Sequence, residues 1–225
     1  TIAIPAARIA RDKRIPMVFE VRDLWPEMPI AMGVLKSRPL QLLAQSLERF
    51  AYTKAARIIA LSPGMRDGIV RVLDARQAGT SEKVTVIPNS CDMGMFDTDR
   101  HDCAGLFAAH PALAGRRYVV YAGTFGRLNG VDYLAQIARA ARDQGSDLLF
   151  VAVGAGSETG RIRSTAESLG VLDSNFLMLP QMSKREVPAL LHAAVLSTSL
   201  FIDIREMWSN SANKFFDTLA AGRPV

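Results

Sequence analysis

Three stretches of the sequence combine glycine, amide and charged residues in a way that suits an anionic ligand. Two are glycine-rich turns, "GTFGRLNG" at 123–130 and "GAGSETG" at 154–160, and the third is "FIDIREMWSNSANK" at 201–214. Each follows an apolar run and leads into a helical pattern. Glycine lets backbone amides approach a ligand closely, and the start of a helix favours phosphate. Together they favour a phosphate-binding crevice, although ordinary turn chemistry explains any one of them as well.

Several better-known sites are excluded by the same stretches. "GTFGRLNG" lacks the G-x-G-x-x-G spacing of dinucleotide-binding folds, and no Gly-Lys-Ser/Thr follows it as in a P-loop. There is no G-x-S-x-G elbow. The three histidines, His101, His110 and His192, lie in a predicted linker or on helix faces. A histidine-based triad or a metal site is therefore not predicted, and we expect no bound metal or cofactor.

The spacing of apolar residues along the chain predicts the strands and helices that carry these three stretches. Short β-branched runs alternate with segments whose apolar residues recur every three or four positions, which is typical of βαβ units on a parallel sheet. Ligands of such sheets bind beyond the carboxyl ends of the strands, so the three stretches should share one edge. Strands are predicted at 16–21, 57–61, 83–88, 117–123, 147–154, 175–179 and 194–200, with helices at 38–55, from Ser62 onward, and between the later strands.

Charge is distributed unevenly along the 225 residues. Residues 1–80 contain 13 Lys/Arg against 7 Asp/Glu, and the remainder contains 14 against 15. A basic first part favours an anionic partner such as a membrane surface or a diphosphate, while a solvated surface explains it equally well. Aromatic content is 7% and no basic run interleaves with aromatic residues, so no nucleic acid partner is expected.

Several short motifs, taken in order, resemble those of one enzyme family. They are "VFEVRDLWPE", "MGVLKSRPL", "LSPGM", "VIPNSCD", "YAGTFGRLNGVDYL", "VAVGAGSE" and "SANKFFDTLAAGRPV". Their order and intervals resemble the family 4 glycosyltransferases, which are retaining enzymes with the GT-B architecture. The set is similar to the bacterial branch that builds O-antigen, capsule and exopolysaccharide, near the N-acetylfucosamine-type transferases.

The resemblance implies an α/β GT-B fold with two Rossmann-like parallel-sheet domains that face a cleft. It divides the chain into an acceptor-side domain at 1–92, a linker region at 93–116 and a donor nucleotide-binding domain at 117–225. Family chains begin earlier and continue further than these motifs. Both domains are therefore expected to be incomplete, and the piece by itself is expected not to transfer sugar.

The resemblance also assigns residues to the transfer of a sugar, with retention, from a nucleotide-sugar donor to a lipid-linked glycan. Stabilisation of the leaving diphosphate is assigned to Arg127 and Lys214, with Glu206 as a further catalytic candidate. Asp217 is expected to bind the ribose, and Asp23, Trp25 and Glu27 lie on the acceptor side. The remaining donor contacts are expected at Gly123, Thr124, Asn129, Gly154, Gly156, Met182, Ser209 and Asn213.

Some positions depart from the family pattern. Many members have Arg and Lys where Thr124 and Asn129 stand, and an acidic residue where Ser209 stands, so the individual roles of Arg127 and Glu206 stay open. Plainer structural roles also remain for other candidates: a solvated helix lysine, a local cap by Asp217, and a core-packed Trp25. Two further functions remain as alternatives, a GT-B-fold sugar-nucleotide epimerase or phosphorylase and a non-catalytic sugar-nucleotide binding module.

The resemblance finally implies partners and a location. The donor is expected to be a UDP- or GDP-linked sugar bound without a metal or other cofactor. The acceptor is expected to be a lipid-linked glycan. The protein is expected in the cytoplasm, peripheral at the inner face of the cytoplasmic membrane, where its basic first part meets the membrane surface.

Overall fold

The computed structural model describes residues 2–74, 81–96 and 103–225, which form two compact units. The first unit contains Thr1–Asn89 together with Asp203–Ser211, and the second contains Ser90–Ile202 together with Ala212–Val225. His101, one of the three histidines for which no triad or metal site is predicted, lies outside the described residues.

A parallel three-stranded sheet forms the centre of the first unit in its described part. Helix formation beside it follows from the sequence: the Ser62 hydroxyl accepts the Met65 amide at 3.1 Å, and Pro63 lacks the amide that a helix start leaves unpaired. The sheet has the order β1 (Val18–Val21), β2 (Arg57–Ala60), β3 (Val84–Val86), and its helices are α1 (Ala3–Lys13), α2 (Glu27–Ala31), α3 (Arg38–Lys54) and α4 (Pro63–Asp74).

A parallel four-stranded sheet forms the centre of the second unit. Its strands are β4 (Tyr118–Ala122), β5 (Leu149–Val153), β6 (Phe176–Leu179) and β7 (Leu196–Ser197), arranged in the order β6-β5-β4-β7. The helices are α5 (Cys103–Ala109), α6 (Asp132–Asp143), α7 (Thr159–Ser168), α8 (Val187–Ala193) and α9 (Asn213–Ala220). This order places β4 and β5 in the middle, so the turns that follow them lie side by side.

The second sheet is covered on both faces, which explains why β5 reads as an unbroken apolar run. Leu149, Val151 and Val153 pack into one hydrophobic cluster with residues of α8, whereas Phe150 and Ala152 pack into another with residues of α6 and α7. All five strand residues are buried. A strand buried in this way carries no polar chemistry of its own, so chemistry is left to the turn at its end.

The predicted α/β class with parallel sheets is confirmed, with a few differences in its elements. Helix α1 forms where the sequence analysis makes no prediction. The strand predicted at 194–200 is reduced to Leu196–Ser197, and the Ser197 amide donates to the Pro224 carbonyl at 3.0 Å.

The compact units also differ from the predicted domain boundaries of 1–92, 93–116 and 117–225. The described part of the predicted linker belongs to the second unit because Leu106 and Leu113 are buried in its core. Asp203–Ser211, predicted in the donor domain, belongs to the first unit.

Candidate functional site

A cavity of about 410 Å³ lies at the carboxyl edge of the second unit's sheet. It is lined by the residues that follow three adjacent strands: Gly123 and Thr124 after β4, Gly154 after β5, and Met182 after β6. Helix α9 contributes Asn213 and Asp217, which lie one turn apart. These six residues are predicted from the sequence as donor contacts, and the structure brings them together in one place.

Other polar lining residues were not predicted from the sequence. Ser90 and Asp92 line the cavity, and the motif "VIPNSCD" could have marked them. Lys184 also lines it, but nothing distinguishes this lysine in the sequence from a solvated one. The Asp92 carboxylate accepts the Gly94 amide at 3.1 Å, so part of its hydrogen-bonding capacity is used locally.

Gly154 and Gly156 are required by the close packing of two turns. A Cβ at position 154 would lie 1.9 Å from the Gly123 carbonyl oxygen, and one at position 156 would lie 2.3 Å from the Phe125 carbonyl oxygen. Gly156 does not line the cavity. The two glycines of "GAG" in "GAGSETG" are therefore explained first by the packing of the turns. Ala155, which stands between them, lines the cavity.

Two residues of the paired turns line the cavity and keep backbone amides without an acceptor among the described residues. The Gly123 amide donates to the Val153 carbonyl at 3.0 Å, and the Phe125 amide donates to the Ala155 carbonyl at 2.9 Å. Thr124 and Ala155 line the cavity, and within the described parts of the chain their own amides have no hydrogen-bond acceptor. Amide groups left open in this way are suited to oxygen atoms of an anion.

The Lys214 ammonium is enclosed by neutral groups close to the same turn. Its Nζ donates to the Tyr121 hydroxyl at 3.1 Å and to Asn129 Oδ1 at 3.2 Å, and it lies 4.4 Å from the centre of the Tyr121 ring. None of the described carboxylates forms an ion pair with it. Burial therefore lowers the pKa of Lys214 to about 8, because the buried charge is compensated only by neutral oxygens and aromatic faces. The alternative that Lys214 is merely a solvated lysine on a helix surface is therefore wrong.

The two partners of Lys214 also hold the backbone of the turn. The Tyr121 hydroxyl donates to the Thr124 carbonyl at 2.9 Å, and Asn129 Nδ2 donates to the same oxygen at 2.9 Å. Lys214, Tyr121, Asn129 and the Thr124 carbonyl thus form a closed ring of four hydrogen bonds. Asn129 does not line the cavity, so its observed contacts are with the protein rather than with the cavity space.

Asp217 presents a partly buried carboxylate to the cavity. Burial raises the pKa of Asp217 above its ordinary value, and the charge of Lys184 opposes that shift. Its carboxylate accepts no hydrogen bond from the described residues, so the proposed local cap is absent there. Two unused carboxylate oxygens at a cavity wall are suited to a pair of hydroxyl donors.

Arg127 and Glu206 do not line this cavity. Arg127 lies in the 3-10 turn Arg127–Asn129 and is exposed. Glu206 and Ser209 belong to the first unit, where they line a different cavity of about 810 Å³ together with Glu27. The structure therefore places Ser209, predicted as a donor contact, in one cavity with Glu27, which is predicted on the acceptor side.

The segment 203–211 is held within the first unit by two hydrogen bonds, which residues far away in the sequence donate to it. The Ser62 hydroxyl donates to the Ser209 carbonyl at 2.5 Å, and Asn89 Nδ2 donates to the Ser211 carbonyl at 2.6 Å. Trp208 Nε1 donates to Asp203 Oδ1 at 2.9 Å, and the residue is 75% exposed beside the cavity. A tryptophan fixed by its nitrogen and exposed otherwise offers a flat apolar face.

Asp23 and Trp25 line a smaller cavity of about 320 Å³ in the first unit. Glu27 lines the larger cavity instead, so the three residues predicted on the acceptor side do not line one cavity. Trp25 is 42% exposed, which rules out the core-packed alternative.

Among the described residues, no group of three or more His, Cys, Asp or Glu side chains is arranged to hold a metal ion. No helix in the described ranges has both the length and the apolar character needed to cross a bilayer.

Comparison with known proteins identifies the first part of the chain. Residues 1–90 match the family described as "Glycosyl transferase 4-like domain". This part of the chain is a glycosyl transferase 4-like domain. The match confirms the resemblance to family 4 glycosyltransferases that the sequence motifs indicated. A curated relative, the probable glycosyltransferase WbjE of Pseudomonas aeruginosa, is 25% identical over 140 residues, which are 61% of this chain and 33% of WbjE.

Solved structures of glycosyltransferases share the fold. Anabaena HepE in complex with UDP has a TM-score of 0.75 at 17% identity, covering 99% of this chain and 56% of HepE. WaaG, a glycosyltransferase involved in lipopolysaccharide biosynthesis, has a TM-score of 0.66 at 16% identity, covering 93% of this chain and 56% of WaaG. The GT-B fold is thereby confirmed. The chain spans only about a third of WbjE and just over half of these structures.

Proposed function

We propose that this chain holds the donor-binding part of a glycosyltransferase, and that the complete protein transfers a sugar from a nucleotide-sugar donor to a glycan acceptor. The observation that carries the proposal is the cavity at the ends of β4, β5 and β6. It combines two open amide donors, at Thr124 and Ala155, with an unpaired carboxylate at Asp217. HepE binds UDP and UDP-glucose, which supports a uridine diphosphate sugar as donor.

The diphosphate of the donor is assigned to the turns after β4 and β5 and to the start of α9. The phosphate oxygens accept hydrogen bonds from the Thr124 and Ala155 amides and from the first turn of α9 at Asn213, where a helix leaves amides unpaired. The Lys214 charge next to this turn favours the negative charge that grows as the glycosidic bond breaks. Loss of one such donor typically costs about 3–4 kcal/mol of transition-state stabilisation.

The ribose is assigned to Asp217, whose two carboxylate oxygens match a pair of neighbouring hydroxyls. Met182 follows β6 and lines the same cavity, and the nucleobase is assigned to its backbone groups. Arg127 is exposed and stays a proposed partner of the diphosphate through movement of its long side chain.

The acceptor is assigned to the first unit. Glu206 and Glu27 line one cavity there, and we propose that one of them accepts a proton or a hydrogen bond from the acceptor hydroxyl. Retention at the anomeric carbon, a lipid-linked acceptor, and a role in O-antigen, capsule or exopolysaccharide synthesis belong to this proposal. The involvement of WaaG in lipopolysaccharide biosynthesis supports that role.

The same proposal covers cofactors and location. Donor binding and transfer are proposed to need no metal ion, with amides and lysine supplying the positive charge. The basic first part, with 13 Lys/Arg against 7 Asp/Glu in residues 1–80, is proposed to bring the protein to an anionic membrane surface on the cytoplasmic side.

The proposal is tested by calorimetric titration of the chain with UDP, GDP and uridine, followed by a transfer assay with the complete protein. We expect UDP or GDP to bind and uridine to bind much more weakly, since uridine lacks the phosphates. Transfer from the matching nucleotide-sugar to a lipid-linked glycan, with the product anomer read by NMR, then tests retention. A chain that binds neither nucleotide would contradict the donor site, and binding without transfer would indicate a sugar-nucleotide binding module.

A further inference from the structure

Tyr121 has a buried side chain, and its hydroxyl has no role in the function proposed above. It lies on β4, the strand that leads into the donor turn, and its side chain is fully buried. Burial raises the pKa of Tyr121 well above its usual range, so the hydroxyl is neutral at every physiological pH. A neutral hydroxyl has one proton to donate and lone pairs to accept. In this structure it donates to the Thr124 carbonyl and accepts from Lys214 Nζ.

Asn129 duplicates this arrangement from the other side. Its Nδ2 donates to the Thr124 carbonyl, while its Oδ1 accepts from Lys214 Nζ. The Asn129 amide can make both hydrogen bonds only when its oxygen faces the Lys214 ammonium and its nitrogen faces the Thr124 carbonyl. Every hydrogen bond of the four-membered ring therefore joins a donor to an acceptor. The Thr124 carbonyl therefore receives two hydrogen bonds, and its orientation is fixed by two side chains tied to one cation.

The orientation of this carbonyl matters because it belongs to the turn that carries the open amides. The turn is already anchored by the Gly123 and Phe125 amides to the turn after β5. The Thr124 carbonyl and the Phe125 amide belong to one planar peptide unit, so this unit is held at both ends, by the hydrogen-bonded ring and by the Ala155 carbonyl. The Thr124 amide, in the preceding peptide unit, has no acceptor among the described residues. Position 123 also has little spare room, because a Cβ there would lie 3.2 Å from the Tyr121 hydroxyl and 3.6 Å from Lys214 Cε.

We propose that Tyr121 and Asn129 are positioning residues, which hold the Lys214 ammonium and the Thr124 backbone so that both act on the diphosphate of the donor. This inference rests on the proposed function. It makes Lys214 act from behind the turn, since Lys214 does not line the cavity while Thr124 does. It also gives Asn129 a role other than the direct donor contact expected from the sequence.

The charged and titratable groups around the ammonium set the expected pH dependence. Tyr121 on β4 stays neutral, Asn129 and Phe201 are uncharged, Asp217 lies further along α9, and Arg127 lies in the turn that ends at Asn129. With burial as the dominant cause, Lys214 loses its proton above a pKa of about 8. Nucleotide affinity should then fall as the pH rises past 8, because only the protonated lysine attracts the diphosphate.

The test is calorimetric titration of the chain with UDP and with uridine at pH 7, 8 and 9. Wild-type affinity for UDP should fall about tenfold from pH 7 to pH 9, because one proton is linked to binding. Tyr121→Phe and Asn129→Ala should each weaken UDP binding at pH 7 about threefold to tenfold, the range expected for one lost hydrogen bond. Both should move the loss of affinity to lower pH, since each removes an acceptor that stabilises the ammonium.

Tyr118→Phe is the matched control. Tyr118 lies on the same strand, is equally buried, and its hydroxyl donates to the Leu190 carbonyl at 2.7 Å, away from Lys214. It should lose stability as Tyr121→Phe does but keep wild-type UDP affinity and pH profile. UDP affinity and pH profile unchanged in both Tyr121→Phe and Asn129→Ala would overturn the inference and leave the donor site standing. Absence of UDP and GDP binding by the wild type would overturn the proposed function and this inference with it.

Discussion

The Ser62 hydroxyl and the Ser209 carbonyl are joined by a hydrogen bond of 2.5 Å across 147 positions of sequence. Their close approach depends on Gly64, because a Cβ at that position would lie 2.6 Å from Ser209 Cβ. The segment that carries Glu206 and Trp208 therefore rests on a backbone surface with no space for a side chain.

Gly64→Ala should lower the free energy of unfolding by about 1–3 kcal/mol, as expected when a methyl group is forced into a packed contact. Urea unfolding measures this change, and the emission of Trp208 should shift as its segment moves. Gly160→Ala is the control, because Gly160 lies in α7 with no atom within 4 Å of its added Cβ, and alanine is a better helix former than glycine. Equal stability of the Gly64 variant and the wild type would refute the steric argument.

Asp217→Ala should weaken UDP binding by about 1.5–3 kcal/mol, the range for a hydrogen bond to a charged group, whereas Asp217→Glu should keep most of the affinity. Isothermal titration at pH 7.5 compares the two. Asp147→Ala is a suitable control, because Asp147 is exposed and its ion pair with Arg117 lies on the surface. An alanine variant that binds UDP as tightly as the wild type would remove Asp217 from the ribose site.

Lower pH should also weaken nucleotide binding through Asp217. Burial raises the pKa of this carboxyl, so it takes up a proton at a higher pH than an exposed aspartate. Protonation removes the negative charge of the carboxylate that accepts hydrogen bonds from the ribose hydroxyls. Nucleoside affinity should therefore be lost as the pH falls through the pKa of Asp217 in the folded protein. Uridine is the appropriate ligand for this measurement, because it keeps the ribose and has no phosphate to titrate. The pH dependence should be absent in Asp217→Asn.

Stability should depend on pH through Glu48 in the first unit. Burial raises the pKa of Glu48 to about 7, while a hydrogen bond from Tyr52 opposes the shift. The folded state then binds more protons than the unfolded state between the ordinary glutamate pKa of 4.5 and the raised pKa of about 7, so the free energy of unfolding falls as the pH rises through this window. We expect a loss of about 1–3 kcal/mol in urea unfolding. Glu48→Gln should flatten this dependence, and a wild-type profile without the decline would contradict the shift.

Donor binding should survive removal of metal ions. Amides and a lysine next to the cavity supply the positive charge, and among the described residues there is no acidic cluster for a cation. UDP titrations with and without EDTA should give the same dissociation constant. An affinity that disappears with EDTA and returns with Mg²⁺ would show that a metal ion bridges the diphosphate.

The sequence indicated several residues of the 410 Å³ cavity because they follow strands. Gly123, Thr124 and Gly154 stand directly after apolar runs whose burial on both faces fixes where the strand ends, and parallel strands bring those ends to one edge. Asn213 and Asp217 were assigned from the family resemblance of "SANKFFDTLAAGRPV", and their spacing of four positions puts them one helical turn apart. Periodicity therefore indicated only the positions that follow strands.

Other features depend on contacts between distant residues, which local patterns do not show. Ser209 is expected among the donor contacts because many family members have an acidic residue at its position, eight residues before Asp217. The structure instead places Ser209 in the first unit, where its carbonyl accepts a hydrogen bond from the Ser62 hydroxyl. Tyr121 looked like an ordinary residue of a buried strand, and its role depends on Lys214, 93 positions later. Glycine spacing was also ambiguous, since Gly156 serves the packing of Phe125 rather than the cavity.

The most direct test of the account is the mapping of UDP onto the chain by backbone amide chemical shifts. The account predicts saturable shifts at Thr124, Ala155 and the first turn of α9, with uridine moving the residues near Asp217 but not the Thr124 and Ala155 amides. Tyr118→Phe should reproduce the wild-type map. Saturable shifts confined to the first unit, or none at Thr124 and Ala155 at saturating UDP, would contradict the assignment of the donor diphosphate to this cavity.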